Sequence, residues 1–277
     1  MTSLTSQVTT AIERPPPQPR PWTGARIAGV AFLGFWAALG LLLLVYLVSR
    51  WNPELFSRYA PAYMRGLWVT VQLVVVSIVL GALLSIPVAW GRMSQNRIVS
   101  SLAYGYVYFF RGTPLLAQTF LIYYGFGSFR PQLEAIGLWS FFREAWWCGV
   151  AAFSLNTAAY QAEILRGAIQ SVPNGQWEGA AALGLSKWQT LRKIITPQAL
   201  IVALRPYGNE VILMIKGSAV VSIITVYDLM GETKRAYSRT FDFQTYIWAA
   251  VIYLAIVETL RHVIDWLERL ITKHLVR

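Results

Sequence analysis

The sequence predicts an all-α, polytopic membrane protein with about six transmembrane helices. Of its 277 residues, 56% are hydrophobic and only 13% are charged, whereas soluble domains contain about 25% charged residues. The apolar residues also occur in runs of about 20, the length that an α-helix needs to cross a bilayer. The lipid bilayer is therefore the first partner that the composition indicates.

The basic charge of the chain has a different meaning here from its meaning in a soluble protein. The net charge is +11 at pH 7 and the pI is about 9.9, values that in a soluble chain would suggest nucleic acid as the partner. The lysines and arginines lie instead in short segments between the apolar runs. They indicate topology and contacts with lipid headgroups, and we expect no nucleic acid partner. The single cysteine, Cys148, cannot form an internal disulfide.

The first 49 residues are predicted to form a tail and one helix. Residues 1–25 are rich in proline, with RPPPQPRP at 14–21, and favour an extended cytoplasmic spacer. The apolar run Ile27–Val48 follows, within an extra transmembrane helix over 26–49. This run is longer than the apolar core of a signal peptide, and the SRWNP behind it lacks a small-residue cleavage site, so the helix should be retained.

Five further apolar segments predict the remaining spans. They are Gly66–Trp90, Ile98–Phe126, Trp146–Ala168, Ala199–Ile224 and Tyr246–Ile264. The Ile98–Phe126 segment contains RGTP at 111–114, which must break or kink the helix because proline lacks an N–H and clashes with the preceding turn. A broken membrane helix either lines a cavity, where freed backbone groups can bind a substrate, or only shapes the bundle.

The distribution of lysine and arginine predicts that both termini are cytoplasmic. More of these residues fall in the segments that are inside when the N-terminus is inside, and an even number of spans then puts the C-terminus inside as well. This orientation places the loop over 174–197, between the fourth and fifth spans, in the cytoplasm. The basic tail over 267–277 lies on the same side.

The first half of the 174–197 loop predicts a short helix. Asn174 is a good N-cap, Glu178 falls in the first turn, where a carboxylate suits the positive end of the helix dipole, and Gly184 can adopt the left-handed conformation that ends a helix. We therefore expect a helix over about 175–183.

The second half of the loop predicts another helix, which starts at a capping box formed by Ser186 and Gln189. The small residues Ala180–Ala182 leave a slim surface on the first helix that the groove of another protein could accept. A hairpin that lies on the lipid surface is the alternative, and the physics alone does not separate the two.

Ionisable side chains within the spans are candidate functional groups. An ionised side chain at bilayer depth costs several kcal/mol unless it faces protein, water or a partner, which singles out Glu163, Glu210 and Lys216. Glu163 and Arg166 are three residues apart on one helical face, so they either form a simple ion pair or take part in gating. We expect Glu210 to lie against the cytoplasmic leaflet close to Arg205, with Lys216 deeper in the bilayer.

The remaining candidates for the translocation pathway are polar side chains around the helix break and along the spans. Those near the break are expected to approach the pathway, because freed backbone groups lie there. The amides and the tyrosine of the later spans pack membrane helices together as often as they bind ligands. In chain order the candidates are Gln72, Arg111, Thr113, Gln118, Asn156, Tyr160 and Asn209.

The sequence contains no constellation for catalysis or metal binding. There is no G-x4-G-K-[ST] phosphate loop, so this chain should not hydrolyse ATP. His262 and His274 are isolated and lack the spacing of metal ligands. We therefore expect neither an enzyme nor a resident cofactor or metal.

The 174–197 loop also carries a family resemblance. Its pattern Glu178-x-Ala180-x3-Gly184-x9-Ile194-x-x-Pro197 resembles the EAA signature of the membrane subunits of bacterial ABC importers. In that family the first helix of the loop inserts into a cleft on a separate ATPase subunit and transmits its closure and opening. The resemblance implies coupling roles for Glu178, Gly179, Ala180 and Gly184.

Two positions depart from the signature. Gly179 stands where the signature usually has alanine, and Thr196 where leucine usually precedes the proline. A glycine inside a helix costs up to about 1 kcal/mol relative to alanine. The first helix should therefore be slightly looser, while its carboxylate and its turn glycine remain.

Three further blocks resemble the polar amino-acid uptake branch of these permeases. They are YFFRGTPLLAQTFLIYYG at 108–125, NTAAYQAEILRGAIQSVPNGQ at 156–176 and LRPYGNEVILMIKGSA at 204–219. The resemblance runs from about Arg65 to the C-terminus and is greatest to the M-type subunits of histidine, basic amino-acid and opine systems. It implies a type I ABC importer permease core over 65–266, with the N-terminal helix as an addition.

The resemblance implies a permease subunit that imports a polar, in particular a basic, amino acid or an opine-like conjugate by alternating access. Its partners would be ATPase subunits, which hold ATP and Mg²⁺, a related or identical second permease subunit, and a periplasmic solute-binding protein, all at the bacterial inner membrane. The competing interpretation is a self-sufficient carrier driven by an ion gradient, with Glu163 or Glu210 as a proton relay. A sensor that docks a partner and transports nothing is a third.

Overall fold

The computed structural model describes residues 22–49 and 51–273, and this part of the chain is helical and contains no strand. The all-α prediction is confirmed. The predicted Pro-rich tail lies outside the described residues up to position 21, as do residues 274–277 of the predicted basic tail. The chain divides into two compact units, one up to Asn52 and the other from Pro53 onward.

The first unit contains one long helix, α1, over Gly24–Ser49. None of its residues is buried, and its 26 residues exceed the roughly 20 that a bilayer requires. At its start, the Arg26 guanidinium lies 4.7 Å from the centre of the Trp22 ring. A helix that is apolar on all sides suits a position in lipid, which agrees with the span predicted over 26–49.

The second unit is a helical bundle. α2 (Pro53–Arg92) is followed by α3 (Arg97–Gly112) and by α4 (Leu115–Phe120), which runs into a π-helical turn at Leu121–Gly125. Two short helices, α5 (Arg130–Ala135) and α6 (Trp139–Phe142), lead to α7 (Ala145–Gln170). The EAA loop, residues 174–197, contains α8 (Asn174–Ala182), α9 (Lys187–Thr190) and a second π-helical turn, Leu191–Ile195. α10 (Thr196–Gly217), a 3₁₀ segment (Ser218–Ile224), α11 (Leu229–Thr240) and α12 (Gln244–Thr272) follow.

Four helical stretches in the described chain have the length and apolarity to cross a membrane. They are α1, α2, the continuous stretch Lys187–Ile224, and α12. Of the other two predicted spans, one is divided between α3 and α4, and the other is α7, which has 26 residues but carries polar and charged side chains. α12 continues to Thr272, into the segment predicted as a tail.

The bundle is organised around the contact of α2 with α7, which we call the α2–α7 seam. Small residues recur every fourth position on this face of α2, an arrangement that lets membrane helices approach closely. They are Ser77, Gly81, Ser85 and Ala89, all buried. A Cβ atom on Gly81 would lie 2.4 Å from Cγ2 of Thr157 and 3.0 Å from Nε2 of Gln161. Only glycine fits at this point of the seam.

α10 and α12 also meet at a glycine. A Cβ atom on Gly208 would lie 2.6 Å from Cγ2 of Ile264. The main apolar core lies between α2, α7 and the 3₁₀ segment, where Leu73, Phe153 and Val221 are fully buried. Close backbone approach at glycine therefore brings the long helices together around one core.

The turn before α11 is held against α2. A Cβ atom on Gly66 would lie 2.8 Å from the carbonyl oxygen of Asp228, and the backbone N–H of Leu229 donates to the Thr70 hydroxyl at 3.1 Å. The Asp228 side chain caps α11 by accepting from the backbone N–H of Gly231 at 2.8 Å. Burial raises the pKa of the Asp228 carboxyl to about 6. α11 thus has a fixed starting point on the bundle.

The EAA loop confirms one predicted cap and corrects the other. Ser186 and Gln189 form the predicted capping box. Asn174 is not the N-cap but the first helical residue, and Pro173 takes the extended cap position with no side-chain hydrogen bond. The helix begins one residue early because the fixed φ of proline suits a helix entrance. Glu178 consequently falls in the second turn rather than the first.

We expect Gly81→Ala to destabilise the bundle, because the added methyl group would displace Thr157 or Gln161. Overpacking of this kind costs about 1–3 kcal/mol. Gly105→Ala on α3 is the matched control, since a Cβ atom there has no neighbour within 4 Å. Thermal unfolding of the purified variants should show a lower midpoint for Gly81→Ala alone. Equal midpoints would contradict a tight seam.

Candidate translocation groove and EAA loop

The predicted helix break is present and is closed by side chains of the same chain. α3 ends at Gly112, Thr113 is extended, and α4 begins after Pro114. Nε2 of Gln118 has two N–H groups and lies within hydrogen-bond distance of three acceptors, so one N–H is shared: the carbonyl oxygens of Phe110 and Thr113, at 2.9 and 3.0 Å, and the Thr113 hydroxyl, at 2.7 Å. The freed backbone groups therefore have partners within the protein.

Asn156 of α7 completes this arrangement. Its Nδ2 donates to the carbonyl oxygen of Phe110 and to Oε1 of Gln118, both at 3.0 Å. Gln118 is 3% exposed and Asn156 is 7% exposed. Of the two alternatives for the break, these bonds favour the one in which it shapes the bundle, because the carbonyl oxygens of Phe110 and Thr113 already accept hydrogen bonds within the chain. Gln118 and Asn156 fix the angle between α3 and α4 and tie both to α7.

Three of the predicted pathway residues lie together in one groove. Two cavities, of about 420 and 360 Å³, share Arg111 of α3 and Tyr160 and Glu163 of α7. We call these two adjacent cavities together the candidate translocation groove. The Arg111 guanidinium lies 5.1 Å from the centre of the Tyr160 ring, a cation–π contact. The groove thus contains both charges and an aromatic surface.

Glu163 is the centre of an ion-pair network at the groove. The predicted pair with Arg166 is confirmed, at 2.7 Å from Nη2 to Oε2. The other carboxylate oxygen accepts from Nε of Arg92 at 2.9 Å, and the Arg92 guanidinium lies 4.9 Å from the centre of the Tyr104 ring. Arg92 was assigned only to topology from the sequence. Nothing in the sequence around the end of α2 indicates that the Arg92 side chain contacts α7.

Glu210 is in a different place from the one predicted. It is 5% exposed, and the Thr157 hydroxyl donates to its Oε1 at 2.8 Å. Arg205 pairs instead with Glu268 of α12 at 2.9 Å. The prediction of a site beside Arg205 is wrong, because residues five apart on a helix point about 140° apart. Gln161, which donates to the Thr157 hydroxyl at 3.0 Å, was not recognised from the sequence.

The other three candidates are exposed on helix faces. Asn209 and Lys216 of α10 lie on one exposed stripe with Val202, Pro206 and Leu213, at spacings of three and four residues, and Val202 and Pro206 line the groove. The α10 candidates therefore continue the groove face along its helix. Gln72 lies on an exposed, otherwise apolar stripe of α2, and it lines none of the cavities described above.

The EAA loop packs against residues at one end of the groove. Trp177 of α8 packs against an apolar cluster at the adjoining ends of α7 and α10, which we call the loop cluster. Its buried residues are Ala168, Val172, Ile195, Ala199 and Ala203. Two of these, Ala168 and Ala203, also line the groove. A displacement of α8 therefore acts on side chains that bound the cavity.

The predicted coupling residues divide between the surface and the interior. Glu178 and Gly179 are exposed, and Gly184 ends the helix with φ of +71°. Ala180 is 2% exposed and faces its own chain, so the slim outward surface consists of Ala181 and Ala182 and excludes Ala180.

Among the described residues, no group of three or more His, Cys, Asp or Glu side chains forms a candidate metal site.

Comparison with known proteins decides the family. Residues 77–277 match the family described as binding-protein-dependent transport system inner membrane component. The chain belongs to this family. It is thus a multi-pass inner-membrane permease subunit of an ABC importer, which is not itself an enzyme because the ATPase is a separate subunit.

Three relatives of this permease are similar over most of their length. The nopaline transport system permease protein NocM of Agrobacterium fabrum is 46% identical over 223 residues, 80% of this chain and 92% of NocM. The octopine transport system permease protein OccM of Rhizobium radiobacter is 40% identical, over 78% of this chain and 89% of OccM. The arginine ABC transporter permease protein ArtM of Haemophilus influenzae is 39% identical, over 73% and 88%.

Solved structures confirm the fold of the permease. A chain from the crystal structure of an amino acid ABC transporter with histidines is 34% identical, with a TM-score of 0.70 over 79% of this chain and 98% of that chain. A chain of the MetNI methionine ABC transporter, at 19% identity and a TM-score of 0.65, agrees in fold. The predicted type I importer permease fold is confirmed.

We expect Gln118→Ala to lower the stability of the permease and Gln72→Ala to leave it unchanged. The first removes every hydrogen bond that Gln118 makes at the break, and a buried group left unsatisfied costs about 1–3 kcal/mol. The second alters an exposed amide. Thermal unfolding midpoints of the two purified variants measure the difference. An unchanged midpoint for Gln118→Ala, with transport lost, would make Gln118 a pathway residue instead.

Proposed function

We propose that this permease imports a basic amino acid or an opine-like conjugate and that the substrate passes along the candidate translocation groove. The observation that carries the proposal is the joining of Arg111, Tyr160 and Glu163 in one groove of a chain that belongs to this family. Arg111 offers a guanidinium to a carboxylate, and Glu163 offers a carboxylate to a cation. The groove thus suits a molecule that carries both charges.

The names of the relatives support the same class of substrate. Nopaline, octopine and arginine, after which NocM, OccM and ArtM are named, each contain a guanidinium group and a carboxylate. The Tyr104 and Tyr160 rings already hold arginine side chains of the protein, so they offer the surfaces on which a substrate guanidinium stacks. Since Glu163 is shared by two arginines, a substrate cation exchanges with one of them rather than meeting a bare carboxylate.

Coupling to ATP hydrolysis follows from the anchoring of the EAA loop. In our proposal an ATPase subunit holds α8 by its exposed Glu178, Ala181 and Ala182, while Gly184 permits the turn behind it. Movement of α8 passes through Trp177 to the loop cluster and changes the width of the groove. Asn209 and Lys216 then line the part of the pathway further along α10.

The assembly contains partners on both sides of the membrane. We propose ATPase subunits that bind ATP and Mg²⁺ at the EAA loop, a second permease subunit, related or identical, and a periplasmic solute-binding protein at the opposite end. This arrangement puts both chain termini in the cytoplasm. The substrate enters from the binding protein and leaves near the loop cluster.

Glu163→Gln should reduce substrate uptake at least about tenfold, because a neutral amide cannot balance Arg92 and Arg166 or exchange with a cation. Arg111→Gln should do the same without affecting the fold, since Arg111 is exposed. The matched control is Glu258→Gln, an exposed carboxylate whose ion pairs stay within α12. Uptake of labelled arginine and octopine by the assembled complex in proteoliposomes measures the effect.

Two results would overturn the proposal. One is equal uptake by the Arg111→Gln and Glu258→Gln variants, which would place the pathway elsewhere. The other is uptake by the permease alone that is abolished when the ion gradient is collapsed, which would make the chain a self-sufficient carrier.

Glu178→Arg should leave the permease folded but lose coupling, because this side chain is exposed and its charge faces the ATPase in our proposal. Gly179→Ala is the matched neighbour: a Cβ atom there has no neighbour within 4 Å in the chain, so we expect coupling to be retained. ATP hydrolysis by the reconstituted complex, with and without binding protein and substrate, measures coupling. Normal stimulation of the Glu178→Arg complex would exclude a role for Glu178.

A further inference from the structure

A basic cavity lies at the end of the bundle opposite the EAA loop. It has a volume of about 350 Å³ and is formed by the 3₁₀ segment, the turn behind it and α11. α10 starts at the EAA loop and runs for 22 residues, about 33 Å, before the 3₁₀ segment begins. An ATPase bound at the loop cannot reach this cavity, which we call the outer basic cavity.

Two cations of α11 line the outer basic cavity, whose lining includes no carboxylate, and the carboxylates behind them, Asp228 and Glu232, balance them only in part. Nζ of Lys234 donates to the Ser222 hydroxyl at 2.9 Å, and the ion pairs among the described residues include none with Lys234. Arg235 lies 3.7 Å from a carboxylate oxygen of Glu232 and 5.5 Å from the centre of the Tyr227 ring. The cavity therefore holds more positive than negative charge.

The wall of the cavity is rigid rather than a mobile surface loop. The Asp228 cap and the Thr70 contact hold the start of α11 against α2. Thr225, in the same wall, has φ of +68°. A β-branched residue in this left-handed conformation costs of order 1–3 kcal/mol and persists only where its surroundings enforce it. The backbone that carries the two cations is thus held in a fixed position.

α11 presents its polar side to water rather than to lipid. Its buried residues, Leu229, Thr233 and Ala236 among them, face the bundle. Its exposed residues are all polar: Lys234, Arg235, Ser238 and Arg239. A helix that binds the bilayer surface exposes an apolar face to insert into it. Because α11 has buried its apolar face in the bundle, the outer basic cavity suits a soluble partner.

We propose that the outer basic cavity receives a carboxylate side chain of the solute-binding protein. The family of this permease is defined by dependence on such a protein, and the cavity lies at the end away from the EAA loop. The Arg235 guanidinium pairs with a carboxylate through two parallel hydrogen bonds, while Lys234 and the Ser222 and Ser238 hydroxyls supply further donors. The inference rests on the proposed function and assigns one contact within it.

Docking of this kind makes association sensitive to charge and salt. Charges at the rim of an interface mainly change the rate of encounter, and salt screens them over about 10 Å at 0.1 M. The binding protein should therefore stimulate the complex at lower concentration in low salt. The Asp228 carboxyl is buried beneath α11, where its attraction to Lys234 offsets part of the positive charge of the cavity, whereas the Lys234 and Arg235 side chains stay exposed to the partner.

The test is a titration of the complete complex with its solute-binding protein. The complex is placed in nanodiscs of neutral phosphatidylcholine, and ATP hydrolysis is followed as substrate-loaded binding protein is added. A variant with both Lys234→Glu and Arg235→Glu should need about tenfold more binding protein for half-maximal stimulation, with the rate at saturation retained. Arg239→Glu is the matched control, since it reverses an exposed charge on the same helix outside the cavity, and it should behave as the unchanged protein.

The outcomes separate this inference from the proposed function. Equal shifts for the double variant and Arg239→Glu, or no shift for either, overturn the cavity as a docking site while the importer function stands. An effect that appears only in nanodiscs containing phosphatidylglycerol assigns the cavity to a lipid headgroup and also overturns the inference. Absence of any stimulation of the unchanged complex by binding protein overturns both. Retained ATP hydrolysis without binding protein shows that the double variant is folded.

Discussion

The close approach of α2 and α7 at Gly81 is the constraint on which the rest of the structure depends. Lipid provides no hydrophobic force between apolar helices, so helices associate by dense packing of small residues, and the α2–α7 seam supplies it. Because both helices are long, this contact also determines which residues of α2 and α7 lie opposite each other further along the two helices. It brings Arg92 to Glu163 near the EAA loop, and the same helix α2 holds the turn before α11 at Gly66 and Thr70.

The groove and the EAA loop share structural parts. Ala168 and Ala203 belong both to the loop cluster and to the groove lining, and α8 reaches the cluster through Trp177. A displacement of α8 therefore reaches the lining of the cavity through the loop cluster alone. The helix break, in contrast, makes part of the groove rigid. Gln118 and Asn156 form hydrogen bonds with its backbone groups and hold α3, α4 and α7 together as one body. α7 thus takes part in both, since it carries Ala168 of the loop cluster and Asn156, which bonds to the helix break.

Much of the fold could be predicted from the sequence, because apolar runs, the Pro114 break and the EAA pattern are local signals. The candidate site was less predictable, because it depends on how each helix is rotated about its axis. The spacing of five residues already separates Glu210 from Arg205 on the helix, but nothing local to Glu210 indicates that it meets Thr157, because that contact depends on the small residues at which the neighbouring helices pack. Arg92 was missed for the same reason.

The two π-helical turns have a consequence for how this chain compares with its relatives. Each holds one more residue in a turn than an α-helix does. One follows the helix break at Leu121–Gly125, and the other follows the capping box at Leu191–Ile195. A related chain that is one residue shorter at either place can close the turn as ordinary α-helix and keep the rest of the bundle in place. Single-residue gaps in alignments of this family should therefore collect at these two turns, where a length change leaves the groove intact.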